Sequence, residues 1–150
     1  MILPKQGDIL KSTVMALVNT VNTIGIMGKG IAYQFKKAYP EMFKDYQSAC
    51  STSEVQIGKM WVWKNPSIFG PQFIINFPTK KDWRNDSSIA DIEKGLHDLV
   101  KIIKELNISS IAIPPLGCGN GKLEWEKVKE LIINAVSPLN DVSIEIYEPL

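Results

Sequence analysis

Short apolar runs alternate along the chain with longer periodic segments. Val14-Met15-Ala16-Leu17-Val18 is an uninterrupted apolar run of strand length that breaks at Asn19-Thr20-Val21-Asn22, which predicts a buried strand ending there. Ile31, Phe35 and Ala38 recur at helical spacing, and Tyr39-Pro40 ends that helix because proline cannot continue its hydrogen-bond ladder. Met60-Trp61-Val62-Trp63 and Phe73-Ile74-Ile75-Asn76 read as two strands, with Asn65-Pro66 and Gly70-Pro71 as turn signals between them. Ser88 followed by Asp91 resembles a capping box, and Ile89, Ile92, Leu96, Leu99, Ile103 and Leu106 then form one apolar helical stripe. Ile111-Ala112-Ile113 is a strand stopped by Pro114-Pro115. Leu123, Val128, Leu131, Ile132 and Val136 mark a last long helix, and Val142 to Tyr147 closes the chain as a strand. Strands alternating with helices predict an α/β layered fold with a largely parallel or mixed sheet. In such folds ligands sit in the crevice beyond the strand ends.

At 150 residues, 45% hydrophobic, the chain is long enough for one domain with a real core, so residues 1–150 are read as a single domain. Whether a further domain follows Leu150 stays open. The 17 basic and 16 acidic side chains leave a net charge of +1, so nucleic-acid contact would have to come from a local patch. Two cysteines, Cys50 and Cys118, suit a reducing compartment rather than a disulfide-built secreted domain. Lys5 and Asp8 come too early for a signal peptide, and no apolar run reaches membrane-helix length. A cytoplasmic protein without membrane contact is expected. A single histidine, His97, and two separated cysteines predict no metal site, and no cofactor is implied.

The candidate chemistry lies in three loops. The first, Asn19 to Ala32, joins a strand to a helix and contains Gly25, Gly28 and Gly30. Glycines let backbone N–H groups approach a phosphate, and the helix N-terminus beyond favours negative charge. The loop fits neither the dinucleotide fingerprint nor the P-loop, so a plain surface loop is the alternative. The second, Gly117-Cys118-Gly119-Asn120-Gly121, repeats the strand–glycine–helix layout, and a tight turn is its alternative. Cys118 reads as a packing residue, since His97 falls on the exposed side of a helix and offers it no base. The third, Asn76 to Arg84, mixes basic and aromatic groups: cations for phosphates and Trp83 for stacking, or else a solvated turn. Asp8, near an early strand end, offers a carboxylate to an exocyclic amino group, or caps a turn.

The pieces QGDIL at 6–10, ALVNTVNTIGIMGKGIA at 16–32, INFPTK at 75–80 and IPPLGCGNGKLEW at 113–125 together resemble the macro domain, the ADP-ribose-binding α/β/α module. The resemblance implies a three-layer sandwich around a mixed, roughly six-stranded sheet. The combination of motifs is most similar to the branch that holds the bacterial DNA ADP-ribosyl glycohydrolases of DarT/DarG toxin–antitoxin pairs and the terminal ADP-ribose protein glycohydrolases. It implies that Asp8 and Ile9 recognise adenine. Gly28, Gly30 and Ile31, with Asn19 and Lys29 in the same loop, fall along the diphosphate and distal ribose. Pro115, Gly117, Cys118, Gly119, Asn120 and Gly121 fall on the opposing side, with Thr79 beside them. Lys80 matches the branch's catalytic lysine, and Asn22 is placed beside the distal ribose as its companion. Lys81, Trp83 and Arg84 are the candidate DNA contacts.

One departure bears on the substrate. The protein-directed relatives carry an aspartate in the second glycine loop, whereas this chain has Asn120-Gly121 and no acid before Glu124. The implied activity is removal of ADP-ribose from single-stranded DNA, as antitoxin to a DNA ADP-ribosylating toxin. The alternatives are protein ADP-ribose or O-acetyl-ADP-ribose hydrolysis, or an ADP-ribose-binding module without turnover.

Overall fold

The strands sort their side chains to two opposite faces with period two. In the computed structural model, which describes residues 1–150, β2 (Ala16–Val21) sends Ala16 and Val18 to one apolar cluster and Leu17 and Val21 to another. The same alternation separates Ile75 and Phe77 from Ile74 in β4 (Phe73–Pro78). It separates Ile111 and Ile113 from Ala112 in β5 (Ser110–Ile113). A sheet with both faces apolar must be covered on both sides, and it is. Helices α3 (Ile89–Glu105) and α4 (Trp125–Val136) cover one face with Ile92, Leu96, Leu99, Val128, Ile132 and Val136. Helices α1 (Gly30–Ala38) and α2 (Pro40–Ser51) cover the other with Phe35, Met42, Tyr46 and Ala49.

The sheet has six strands in the order β1-β6-β5-β2-β4-β3, with β1 at Ile2–Lys5, β3 at Trp61–Lys64 and β6 at Ser143–Tyr147. Strands β1, β6, β5, β2 and β4 run parallel, and β3 pairs antiparallel to β4 at one edge. This is the three-layer mixed-sheet sandwich expected from the sequence. The C-terminal ends of the five parallel strands therefore share one edge of the sheet.

Two elements differ from the sequence reading. Strand β2 runs on through Asn19 and Thr20 to Val21 rather than stopping at Val18, because Asn19 finds a buried partner, Asn76, directly opposite on β4. Helix α2 was not anticipated. Pro40, which ends α1, opens the next helix at its first position, where a missing N–H costs nothing. The Ser88 cap is as read, its Oγ accepting from the Asp91 N–H at 3.2 Å.

Helix α3 rests directly on β4 at Gly95. A Cβ there would lie 2.3 Å from the ring of Phe77, which is fully buried. Gly95→Ala should therefore destabilise the fold by about 1–3 kcal/mol through overpacking, despite alanine's better helix propensity. Chemical denaturation should show a lowered midpoint at unchanged slope.

Candidate functional site

Because β1, β2, β4 and β5 all end at one sheet edge, the four sequence segments singled out above are delivered to the same side of the molecule. Strand β2 is central. It leads into the first glycine loop, while its neighbours β5 and β4 lead into the second glycine loop and into Lys80. Asp8 follows β1, four strand positions from β4, which at ~4.8 Å per strand is roughly 19 Å away. The two glycine loops face each other: the open Cβ position of Gly30 lies 3.5 Å from Asn120 Nδ2.

The first loop is shaped by one side chain. Asn22 Oδ1 accepts from the N–H groups of Ile24 and Ile26, and its Nδ2 donates to Ile26 O at 2.8 Å. Tyr46 of α2, fully buried, donates its hydroxyl to the same residue at 2.8 Å. Asn22 is 5% exposed, so the structure places it inside the loop as its organiser. Asn19 lies deeper still, fully buried, with Nδ2 donating to Asn76 Oδ1 and Oδ1 without a partner. Expected along the ligand, it instead supports the loop from beneath, against Met27. With the loop held this way, the backbone N–H groups from Met27 to Ala32 have no acceptor in the protein. Helix α1 starts within this run without a side-chain cap.

The second loop has the same character. Gly117 sits at φ +72, a left-handed backbone that glycine adopts freely. Leu123 N–H and Lys122 N–H donate back to Gly117 O and Gly119 O, closing the turn. The N–H groups of Gly119, Asn120 and Gly121 donate to nothing in the protein. A Cβ on Gly121 would fall 2.4 Å from Ser87 Oγ and 2.5 Å from Gly117 O, so no other residue fits. Cys118, half-buried, donates to Leu116 O, and burial pushes its thiol up to about 11. It stays protonated and serves packing, as the sequence suggested.

Lys80 leaves the end of β4 partly buried. Burial lowers its pKa below the ordinary lysine value. Asp86 and Asp82 oppose that shift, while Lys122 beyond the second loop and Lys29 of the first reinforce it. Lys80 follows β4, the sheet neighbour of β2, and so emerges at the same edge as the first loop. Thr79 is buried, its N–H donating to Val21 O. Pro115 is half-buried and accepts the Cys118 N–H.

Beyond Lys80, Lys81 O accepts from both the N–H and the hydroxyl of Thr23, fastening the third segment to the first loop. Trp83 is 45% exposed, with Lys29 Nζ at 5.8 Å and the Arg84 guanidinium at 5.6 Å from its ring centre. Arg84 also pairs with Asp82 at 2.6 Å, which holds that carboxyl down at about 2. Ser87 N–H donates to Gly121 O, and Lys122 lies 3.6 Å from Asp86, so the third segment is also tied to the second loop. Tyr46, Thr23, Ser87 and Asp86 were not among the residues read from the sequence. Their roles come from long-range contacts that carry no local signal.

At the other end, Asp8 is exposed and caps the 3₁₀ turn Ile9–Lys11, one oxygen accepting the Leu10 N–H at 3.0 Å. Its second oxygen is free. The neighbouring Ile9 N–H has no acceptor in the protein, and the Ile9 side chain is buried. No group of histidine, cysteine or acidic side chains is placed to hold a metal ion. No helix is long and apolar enough to cross a membrane.

Residues 18–132 match the macro domain family model. A DNA ADP-ribosyl glycohydrolase of Mycobacterium tuberculosis is 55% identical over 143 residues, which is 95% of this chain and 41% of that protein. The chain thus spans about two-fifths of the length of the curated relatives it matches. Among solved structures, the macrodomain of Mycobacterium tuberculosis DarG superposes with a TM-score of 0.98 at 54% identity, covering 100% of this chain and 99% of that one. Thermosipho africanus DarTG in complex with ADP-ribose superposes at 0.91 with 35% identity, covering 99% of this chain and 42% of that one. The chain belongs to the macro domain family and groups within it with the macrodomains of DarG.

Proposed function

We propose that this domain is a DNA ADP-ribosyl glycohydrolase that removes ADP-ribose from a thymidine-type base in single-stranded DNA. In this reading it undoes the work of a DNA ADP-ribosyltransferase toxin in the cytoplasm. The observation that carries the proposal is that Lys80 emerges at the same sheet edge as two rows of unpaired backbone N–H groups, with no carboxylate in the second loop. The names of the similar Mycobacterium and Thermus proteins, and the ADP-ribose in the Thermosipho structure, support it.

The parts divide the ligand among them. Adenine offers a donor and an acceptor side by side, and the free Asp8 oxygen with the free Ile9 N–H is the complementary pair. The N–H groups of 27–32 and 119–121 take the diphosphate, with the N-terminus of α1 adding its positive end. That leaves the distal ribose toward Lys80. Cleavage breaks the bond between the anomeric carbon and the base nitrogen, and positive charge builds on the sugar. A lowered pKa raises the share of neutral amine, which can add to that carbon while the departing base nitrogen takes up a proton. Water then releases the sugar and restores the lysine. Trp83, Lys81 and Arg84 line the approach for the single strand.

The deciding experiment offers ADP-ribosylated single-stranded DNA and ADP-ribosylated glutamate protein in parallel. Release from DNA alone is expected, and release from protein alone would overturn the reading. Lys80→Ala should abolish single-turnover release while ADP-ribose affinity by calorimetry is retained, because the loss falls on the chemical step. In the wild type, the rate should rise with pH as Lys80 loses its proton, with a midpoint below the ordinary lysine value of about 10.4. A rate falling over that range would assign the work to the ammonium form.

Two variants test the binding surfaces. Gly119 has no positive φ, and a Cβ there meets nothing within 4 Å. Gly119→Glu should therefore leave the circular dichroism spectrum unchanged while abolishing ADP-ribose binding through charge repulsion and bulk. Asp8→Ala should weaken ADP-ribose binding by about 1.5–3 kcal/mol, the range for a hydrogen bond to a charged group. It should leave ribose 5-phosphate unaffected, since that ligand has no adenine.

A further inference from the structure

A recess lined in part by Thr23 and Lys81, which fasten the third segment to the first loop, shares no lining residue with the two rows of unpaired N–H groups. We propose that it is the subsite for the nucleotide adjoining the modified base in a single-stranded DNA substrate. This inference rests on the DNA reading above. The recess measures about 390 Å³, within the range of small-molecule sites, and Thr23, Lys81, Cys50, Ser53, Gln56 and Ile57 line it.

Its position follows from the chain. Lys80 serves the cleft, and the next residue, Lys81, lines the recess. Two of its lining residues are joined there, Thr23 N–H and Oγ1 both donating to Lys81 O, at 3.0 and 2.9 Å. A polymer whose modified base leaves from Lys80 crosses this fastening and meets the recess next.

Its chemistry fits a nucleotide. Half-buried Ile57 and buried Val55 give an apolar floor for a base face. Gln56 Nε2 donates to Ser53 O at 2.8 Å, which leaves Gln56 Oε1 to accept from a base edge. Lys81 is exposed and makes no ion pair, and exposed Lys59 closes the same turn through its N–H to Gln56 O. The carboxylate of this turn, Glu54, accepts from Thr52 Oγ1. An apolar face beside an uncommitted lysine, Lys81, is how single strands are held without strict sequence preference. A peptide substrate carries no second phosphate for that lysine.

The test compares kcat/KM for ADP-ribosyl-thymidine as a free nucleoside and within a short oligonucleotide. The wild type should prefer the oligonucleotide by about tenfold, an order typical of one seated base. The double variant Ser53→Asp, Gln56→Glu should bring that ratio close to one. Ser53 sits at φ 60, which aspartate tolerates. Gln56→Lys should raise the ratio. A ratio near one in the wild type, or one that none of these variants moves, overturns the subsite. Should the wild type release ADP-ribose from neither DNA substrate, the DNA reading itself fails. The recess is then decided by NMR titration with unmodified oligothymidylate. Amide shifts at Thr23, Gln56 and Ile57 that the double variant abolishes keep it as a single-strand site, and shifts elsewhere or none overturn it.

Discussion

The site depends on the direction of one strand pair on each side of β2. Strands β4 and β5 both run parallel to β2, in the registers Val21 opposite Pro78 and Leu17 opposite Ala112, so all three chains emerge from the same sheet edge. A chain that leaves β2, β4 or β5 at this edge must cross back over the sheet before the next parallel strand, and here each of those crossings runs through helices. That is why α1–α2 and α3–α4 cover the two faces and why no loop at this edge is a short hairpin. The loops are then free to be long and glycine-bearing, because the core beneath them is closed by the helices.

Below the loops, a buried polar seam compensates for their lack of regular structure. Asn76 accepts from Asn19 and donates to Trp61 O, linking β2, β4 and the edge strand β3. Asn22 and Tyr46 extend the seam into the first loop. A buried amide is worth little when paired and costs much when orphaned. The seam therefore stabilises one loop conformation strongly against others while adding modestly to overall stability. Rigid loops matter here because their unpaired N–H groups are useful only when aimed in advance.

Most of the architecture was legible in the sequence, because burial on both faces writes long apolar runs for strands and single stripes for helices. Ile111–Ile113 and the stripe from Ile89 to Leu106 are of this kind. Helix α2 was not read, although Met42, Tyr46 and Ala49 recur at helical spacing, because it opens on Pro40, which serves as the stop signal of α1. The candidate residues of the glycine loops and Lys80 were legible as local chemistry, and the structure brings their segments to one sheet edge. The protein partners of Asn19 and Asn22 were not legible. An asparagine looks the same in sequence whether it faces a ligand or a neighbouring backbone, and only the partner across the sheet or on α2 decides.

The two rows of unpaired N–H groups have a kinetic consequence. Under the proposed function they would grip the diphosphate, which the reaction leaves unchanged, and the Asp8–Ile9 pair would grip an adenine that is equally untouched. Binding energy placed on such groups is common to substrate, transition state and product. On that proposal, released ADP-ribose would be held about as tightly as the substrate. Accumulating product would compete for the same cleft, so the pace of repair in a cell would follow how fast free ADP-ribose is cleared by other enzymes as well as how fast the bond is cut.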